Sequence, residues 1–257
     1  MTATREIVQY LDTLLETSTV PDYGNALNGL QLDNSGDVTK VAAAVDFSSR
    51  VVNEAVSEKA NLVVLHHGMF WGGLKPITGS YYSCLKMLID NDVAVYSSHL
   101  PLDRHPTFGN NVLLSRELEL VPSAEFAWTK GIAIGVRGEA DVLTTDLLER
   151  ARRFAHARGG DAISTSRVND RRTRRWAMCS GAGASSETLH EAKNLGIDTL
   201  IVGEGPHHTA VEAEELGIAV IYAGHYATET LGVRAVARHL ADEFGIEWTM
   251  IHAPTGL

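Results

Sequence analysis

Apolar positions recur along this chain in two alternating rhythms. Ile7, Val8, Leu11 and Leu14–Leu15 fall at helical spacing, so residues 4–17 read as an amphipathic helix. Residues 18–37, rich in Pro, Asp, Gly and Asn, read as loop. Lys40–Val45 is a buried strand, and Ser48 or Ser49 can cap the helix that follows, with Val51, Val52 and Ala55 on one face. Leu62–Leu65 is short and wholly apolar, as in strands buried on both faces of a parallel sheet. A Gly-rich loop, a helix near Ser83–Asn91, a strand Val93–Ser97 and a helix Asn110–Glu119 complete the first half.

The second half repeats this order. Placing Ser48–Ser49 on Ser185–Ser186, an offset of 137, brings Glu54–Ala55 onto Glu191–Ala192 without a gap. It also brings Leu62–Leu65 onto Thr199–Val202. Further on, Val93–His99 (VAVYSSH) resembles Ile218–His225 (IAVIYAGH). Between the halves lie a short strand, Gly131–Val136, a helix, Thr144–Ala157, a polar stretch, Arg158–Arg174, and a strand, Trp176–Cys179. The expected fold is α/β, with two related three-layer α/β/α lobes arising from an internal duplication and strands alternating with helices. The expected domains are 1–126 plus 222–257, a metal-site lobe, and 127–221, a second α/β lobe.

Composition narrows the function classes. The 257 residues are 44% hydrophobic and 21% charged, enough for an ordinary core. A net charge of −10, from 22 basic and 32 acidic residues, argues against a general nucleic-acid binder. The basic run Arg171, Arg172, Arg174 and Arg175 reads as the solvated approach to a strand. Cys84 and Cys179 sit among apolar residues without a CxxC partner, as buried thiols do in a reducing compartment. The N-terminus does not read as a signal peptide, and no apolar run approaches the ~20 residues of a membrane span, so cytoplasm is the default.

Three places put metal-capable side chains just past a buried strand, the edge where open α/β sheets bind ligands. His66–His67–Gly68 follows Leu62–Leu65; adjacent histidines cannot both face a strand's core, but both can converge on one site where the chain turns. His99-Leu-Pro-Leu-Asp103 follows Val93–Ser97, with His99 either a ligand or a group that orients one. Gly109–Asn110–Asn111, downstream, can cap the next helix. His225 and Glu229 follow Ala219–Ala223 and share a face if a helix begins there. Singly, each has an ordinary surface or capping explanation. Together they suit divalent Zn, Mn, Fe or Co, without distinguishing among them. In Gly203–His208 (GEGPHH), Glu204 falls opposite His67 by the offset, and His207 and His208 are either substrate or proton-transfer groups or a surface cluster.

Asn28–Gln31 (NGLQ), Leu62–Gly68 (LVVLHHG), His99–Asp103 (HLPLD) with Gly109–Asn111 (GNN), and Ala223–Glu229 (AGHYATE) resemble the Nif-three-like dinuclear-metal family, also known as GTP cyclohydrolase type 2-like proteins. The likeness covers nearly the whole chain and is weakest at residues 120–175. It implies two divalent metal ions per chain, held by His66, His67, Asp103, His225 and Glu229, with Glu229 bridging. His99 matches a family position near the metals that is not usually a ligand. The likeness also implies a homohexameric ring and a metal-dependent hydrolase whose metal-bridged water attacks a small substrate, such as a purine nucleotide, with His99 or His208 moving a proton. There is no Walker-type Gly-Lys motif. The same ligands would equally serve a non-enzymatic metal-binding or regulatory-interaction module, which needs no open coordination position.

Overall fold

The computed structural model describes residues 2–165, 168 and 170–256; Ser166, Arg167 and Asn169, within the polar stretch Arg158–Arg174, lie outside the described residues. The chain is a mixed α/β protein that divides into two compact units. The first comprises Met1–Leu102 with Gly232–Ala253, and the second Asp103–Leu231 with Pro254–Leu257.

The first unit is built on a five-stranded sheet in the order Glu247–Met250, Lys40–Asp46, Leu62–His67, Ala94–Ser97, Gly29–Leu32. The first four strands are parallel; Gly29–Leu32 joins the edge antiparallel. Ala42, Ala44, Val63, Leu65 and Val95 on one sheet face pack with Val51, Val52 and Ala55 of helix Ser49–Ser57 and with Cys84 and Leu88 of helix Gly79–Asp90. Helix Thr4–Leu14 is tied to the sheet by the Tyr96 hydroxyl, which is 2.8 Å from Asp12 Oδ1 and 3.0 Å from Thr17 Oγ1. Burial raises the Tyr96 hydroxyl's pKa far above its ordinary value, so it remains a donor. Gly29–Leu32 corrects the reading of 18–37 as loop: four residues carrying a Gly and a Gln have too little apolar alternation to announce an edge strand.

The second unit has a six-stranded sheet in the order Ala124–Thr129, Ile132–Leu143, Arg172–Cys179, Thr199–Val202, Ala219–Tyr222, Ile163–Ser164. Its inner three strands are parallel. Alternate residues feed two separate cores. Trp176, Met178, Ile201 and Ile221 pack with Leu147, Ala151 and Phe154 of helix Thr144–His156. Ala177, Cys179, Leu200, Val202 and Val220 pack with Leu189 and Ala192 of helix Ser186–Asn194 and Ala213 of helix His207–Leu216. Period-two burial with helices over both faces is the three-layer arrangement expected for parallel strands. Leu114 of helix Asn110–Glu117, Leu118 just after it, and Ala227 and Leu231 of helix His225–Phe244 join the first of these cores. Residues 103–126 and 222–231 therefore pack with the second sheet, not with the lobe to which the sequence pattern assigns them. Cys84 and Cys179 are both buried free thiols. Among the described residues no helix is long and apolar enough to cross a membrane.

The positions matched by the 137-residue offset have matching local structure. Ser48 caps helix Ser49–Ser57 by accepting from Val51 N, and Ser185 caps Ser186–Asn194 by accepting from Thr188 N. Thr188 returns the bond to Ser185 N, completing a capping box at the second site. Replacing either serine by alanine is expected to cost about 1 kcal/mol, because each removes the side-chain acceptor of one helix-start N–H. Denaturant unfolding of Ser48→Ala and Ser185→Ala checks this; midpoints unchanged from the parent would refute it.

Candidate metal centre

The strand Leu62–His67 does not end before its histidines. Its ladder with Lys40–Asp46 runs on to the pair Asp46↔His67, so both imidazoles belong to the strand rather than to the turn after it. Both are buried, and their ring centroids are 4.7 Å apart. His99, one residue past Ser98, lies 4.9 Å from His66 and 5.5 Å from His67, centroid to centroid. One ligand nitrogen from each of the three lies within 4.8 Å of the others. The Trp71 ring packs on His67 and His99, at 4.4 and 4.5 Å.

Each ring is oriented through Nδ1. His66 Nδ1 donates to the Ser98 carbonyl at 3.0 Å. His67 Nδ1 donates to Asp46 Oδ1 at 2.8 Å, and His99 Nδ1 to Asp22 Oδ1 at 2.9 Å. With Nδ1 committed as the donor, Nε2 carries the lone pair. Asp22 is held as a carboxylate. Burial alone would raise its pKa, but the hydrogen bond and charge of His99, Asn28 and the Tyr23 amide outweigh burial and lower it.

The NGLQ loop builds this scaffold. Asn28 donates to Asp22 Oδ2 and accepts from His99 N. Gln31 donates to the Ala26 and Leu27 carbonyls and accepts from Met69 N, clasping the chain just after the histidine pair. A Cβ on Gly68 would lie 2.3 Å from Gln31 Oε1, so this clasp requires glycine at 68.

In the second unit, His225 opens the helix His225–Phe244, as its spacing from Glu229 suggests, and the two side chains meet at 3.1 Å. Glu229 is buried. His225 Nδ1 donates to Glu204 Oε1 at 2.7 Å. Burial would lower the His225 pKa, but hydrogen bonds to and the charges of Glu229 and Glu204 raise it to about 9. Gly181 sits beneath this pair with φ 60°, and a Cβ there would meet Glu229 Oε1 at 2.1 Å. Thr228 holds the Gly181 amide at 3.0 Å.

Asp103, also buried, accepts from Asn110 Nδ2 at 2.8 Å and from Ser180 Oγ at 3.4 Å. The helix starts where expected, within Gly109–Asn110–Asn111, but the two Asn side chains do not cap it. The cap position is Gly109, and the amides reach instead to Asp103, to the Ile134 carbonyl and to Ser180 N. A Cβ at Gly109 would lie 2.4 Å from the His105 carbonyl, so the chain turns there by close backbone contact. His208 is exposed on the first turn of His207–Leu216, and no metal-capable group among the described residues includes it.

Asp22 and Asp46, which bond His99 and His67, were not singled out by motif reading, and Glu204, noted there only as falling opposite His67, bonds His225. Asp46 and Glu204 each precede their histidine by 21 residues, one at the end of a strand and the other just after one. A carboxylate at the end of one parallel strand and a histidine at the end of the next is a signal present in the sequence.

This donor set suits a divalent metal: imidazoles fixed through Nδ1, with buried carboxylates supported by amide and hydroxyl donors. The model of the Duf34/NIF3 (NGG1p interacting factor 3) family matches residues 2–255, and the chain belongs to that family. A Deinococcus radiodurans protein named GTP cyclohydrolase 1 type 2 homolog is 36% identical, over 98% of this chain and 94% of its own length. A Pyrococcus abyssi protein of the same name is 38% identical over 98% of both chains. The solved structure of protein ybgI, described as of unknown function, superposes with a TM-score of 0.88 at 31% identity, covering 99% of this chain and 100% of that one.

Because the folded-state pKa of His225 is raised, its proton stabilises the metal-free fold fully below the ordinary histidine value. That contribution is lost as pH rises through about 9. NMR titration of metal-free protein should find His225 protonated at neutral pH, with its midpoint lowered in Glu204→Gln. A wild-type midpoint near 6.5, the ordinary histidine value, would contradict the assigned ion pairs.

Proposed function

We propose that the chain is a cytoplasmic dinuclear metal-dependent hydrolase. His66, His67, Asp103, His225 and Glu229 would hold two divalent ions. The observation that carries this reading is the common treatment of the histidines. His66, His67 and His99 each give Nδ1 to an oxygen, which leaves Nε2 to serve as a ligand or base, and His225 gives Nδ1 to Glu204 and holds its Nε2 proton against Glu229, where a metal ion would replace that proton. Ordinary buried histidines have no reason to share this arrangement.

Divalent metals at such a centre supply Lewis acidity and an activated water near neutral pH. The chain's own groups do the rest. Asp46 and Glu204 orient two of the imidazoles and make them more basic. Asn110 and Ser180 hold Asp103 in place. His99, backed by Asp22, is the group proposed to move a proton, with His208 a second candidate. Trp71 covers His67 and His99 and limits water there. The names of the relatives support cyclohydrolase-type chemistry on a small substrate, such as a purine nucleotide. Assembly into a homohexameric ring belongs to the same reading, and sedimentation of the purified protein measures it.

Elemental analysis of protein purified without chelator should give about two metals per chain, lost in the His67→Ala, Glu229→Ala double variant. Asp46→Asn and Glu204→Gln should each weaken metal binding about 10- to 100-fold while leaving the fold intact. Gly181→Ala should do the same, because its Cβ displaces Glu229. Absence of metal in wild-type protein, even after loading, would remove the premise. Two metals with no turnover in a broad screen of nucleotides, phosphoesters and amides would leave a metal-binding module without hydrolase activity.

A further inference from the structure

The second unit contains a cavity of about 380 Å³, within the size range of small-ligand sites. Its walls include Ile163, Pro206, Ala210 and the ring of Tyr222, and its polar groups are Glu204, Asp161 and His207. Among the described residues, no Lys or Arg lines it.

The cavity is built around one fixed carboxylate. Glu204 Oε1 is held by His225 Nδ1, and its backbone is held at both ends: Glu204 N donates to the Gly181 carbonyl at 2.8 Å, and Ala184 N donates to the Glu204 carbonyl at 3.3 Å. The flanking glycines permit this. A Cβ on Gly203 would lie 2.5 Å from the Gly181 carbonyl, and one on Gly205 would lie 2.3 Å from Ala184 Cβ. The loop is therefore pressed flat against its neighbours and presents the Glu204 side chain as a preset acceptor on the cavity wall.

Hydrogen-bond character decides the class of ligand. The first turn of helix His207–Leu216 borders the cavity and offers at most about half a positive charge. Glu204 is paired with His225 and Asp161 with His156, so the lining is nearly balanced in charge, and its carboxylate oxygens are the strongest hydrogen-bond acceptors on the wall. An anion is disfavoured, and a group bearing N–H donors is favoured.

We propose that this cavity binds a small flat ring carrying an amidine-type edge, two adjacent N–H donors directed at Glu204, with the ring against Ile163, Pro206 and Tyr222. Nothing in this proposal depends on metal at the centre described above. Its one link to that centre is Glu204, which serves both His225 and the cavity.

Benzamidine is the probe, with benzoate as a ligand of the same shape and opposite charge. Ligand-observed NMR and calorimetry would follow both on the protein as purified. Saturable benzamidine binding and no benzoate binding are expected. Glu204→Gln should weaken benzamidine about 10- to 100-fold, the usual loss for a charge-assisted hydrogen bond. Ala210→Phe, which fills the cavity, should abolish binding. Ile163→Trp at the exposed rim should also weaken it, and this holds as the test if Ala210→Phe does not fold. No saturable benzamidine binding, equal binding of benzoate, or benzamidine binding unchanged in Glu204→Gln and the cavity variants would each overturn the proposal. Metal content measured on the same samples keeps this result separate from the metal reading.

Discussion

An imidazole has two nitrogens and, when neutral, one proton, so a histidine can offer a lone pair in a chosen direction only if its other nitrogen is tied down as a donor. That constraint organises both units. His66 is tied to a backbone carbonyl, His67 to Asp46, His99 to Asp22 and His225 to Glu204. Much of the irregular structure serves these four bonds. The NGLQ loop exists to hold Asp22 and to fasten the segment after His67. The Gly203–Gly205 loop exists to bring Glu204 to His225.

Close approach is the second requirement, and glycine supplies it. At Gly68 and Gly181 any side chain would occupy space already taken by a polar group of the scaffold, the Gln31 amide in one case and the Glu229 carboxylate in the other. Gly181 also has the positive φ that other residues adopt only with strain. These positions fix polar atoms against backbone, where a methyl group would push them out of reach. The packing cores are more forgiving, since they are alternating apolar residues between sheet and helix.

Much of this was legible in the sequence, for physical reasons. The buried parallel strands are continuous apolar runs, and Ser48 and Ser185 mark helix starts at equivalent positions. The His and Glu spacing at 225 and 229 reads correctly as one helical face. The edge strands were not legible: Gly29–Leu32 has no alternation, and Glu247–Met250 is only half buried. The helix start expected at Gly109–Asn110–Asn111 is there, with Gly109 at the cap, but the work of the Asn110 and Asn111 amides was not legible, because an amide can cap or reach sideways and only tertiary structure decides. The carboxylates' role in orienting the histidines was missed for a related reason. Asp22 is 77 residues from His99, and nothing local in an Asp-rich loop distinguishes it. The 21-residue spacing of Asp46 to His67 and of Glu204 to His225 is different. It is the length of one strand–helix–strand step between parallel neighbours, so it could have been read as a pairing rule once the strands were assigned.

The oxygens that orient the histidines are not equivalent, and the difference has chemical content. A carboxylate accepting from Nδ1 pushes electron density through the ring and makes Nε2 a stronger donor than a neutral carbonyl does. His67, His99 and His225 give Nδ1 to carboxylates, whereas His66 gives Nδ1 to the Ser98 carbonyl. Within the first unit, His66 and His67 therefore differ in what holds Nδ1 although they are adjacent in one strand. The fold imposes this. Asp46 stands opposite His67 in the strand register, while His66 faces the backbone at the end of the neighbouring strand. Register, the coarsest property of the sheet, thus reaches the electronic character of individual side chains.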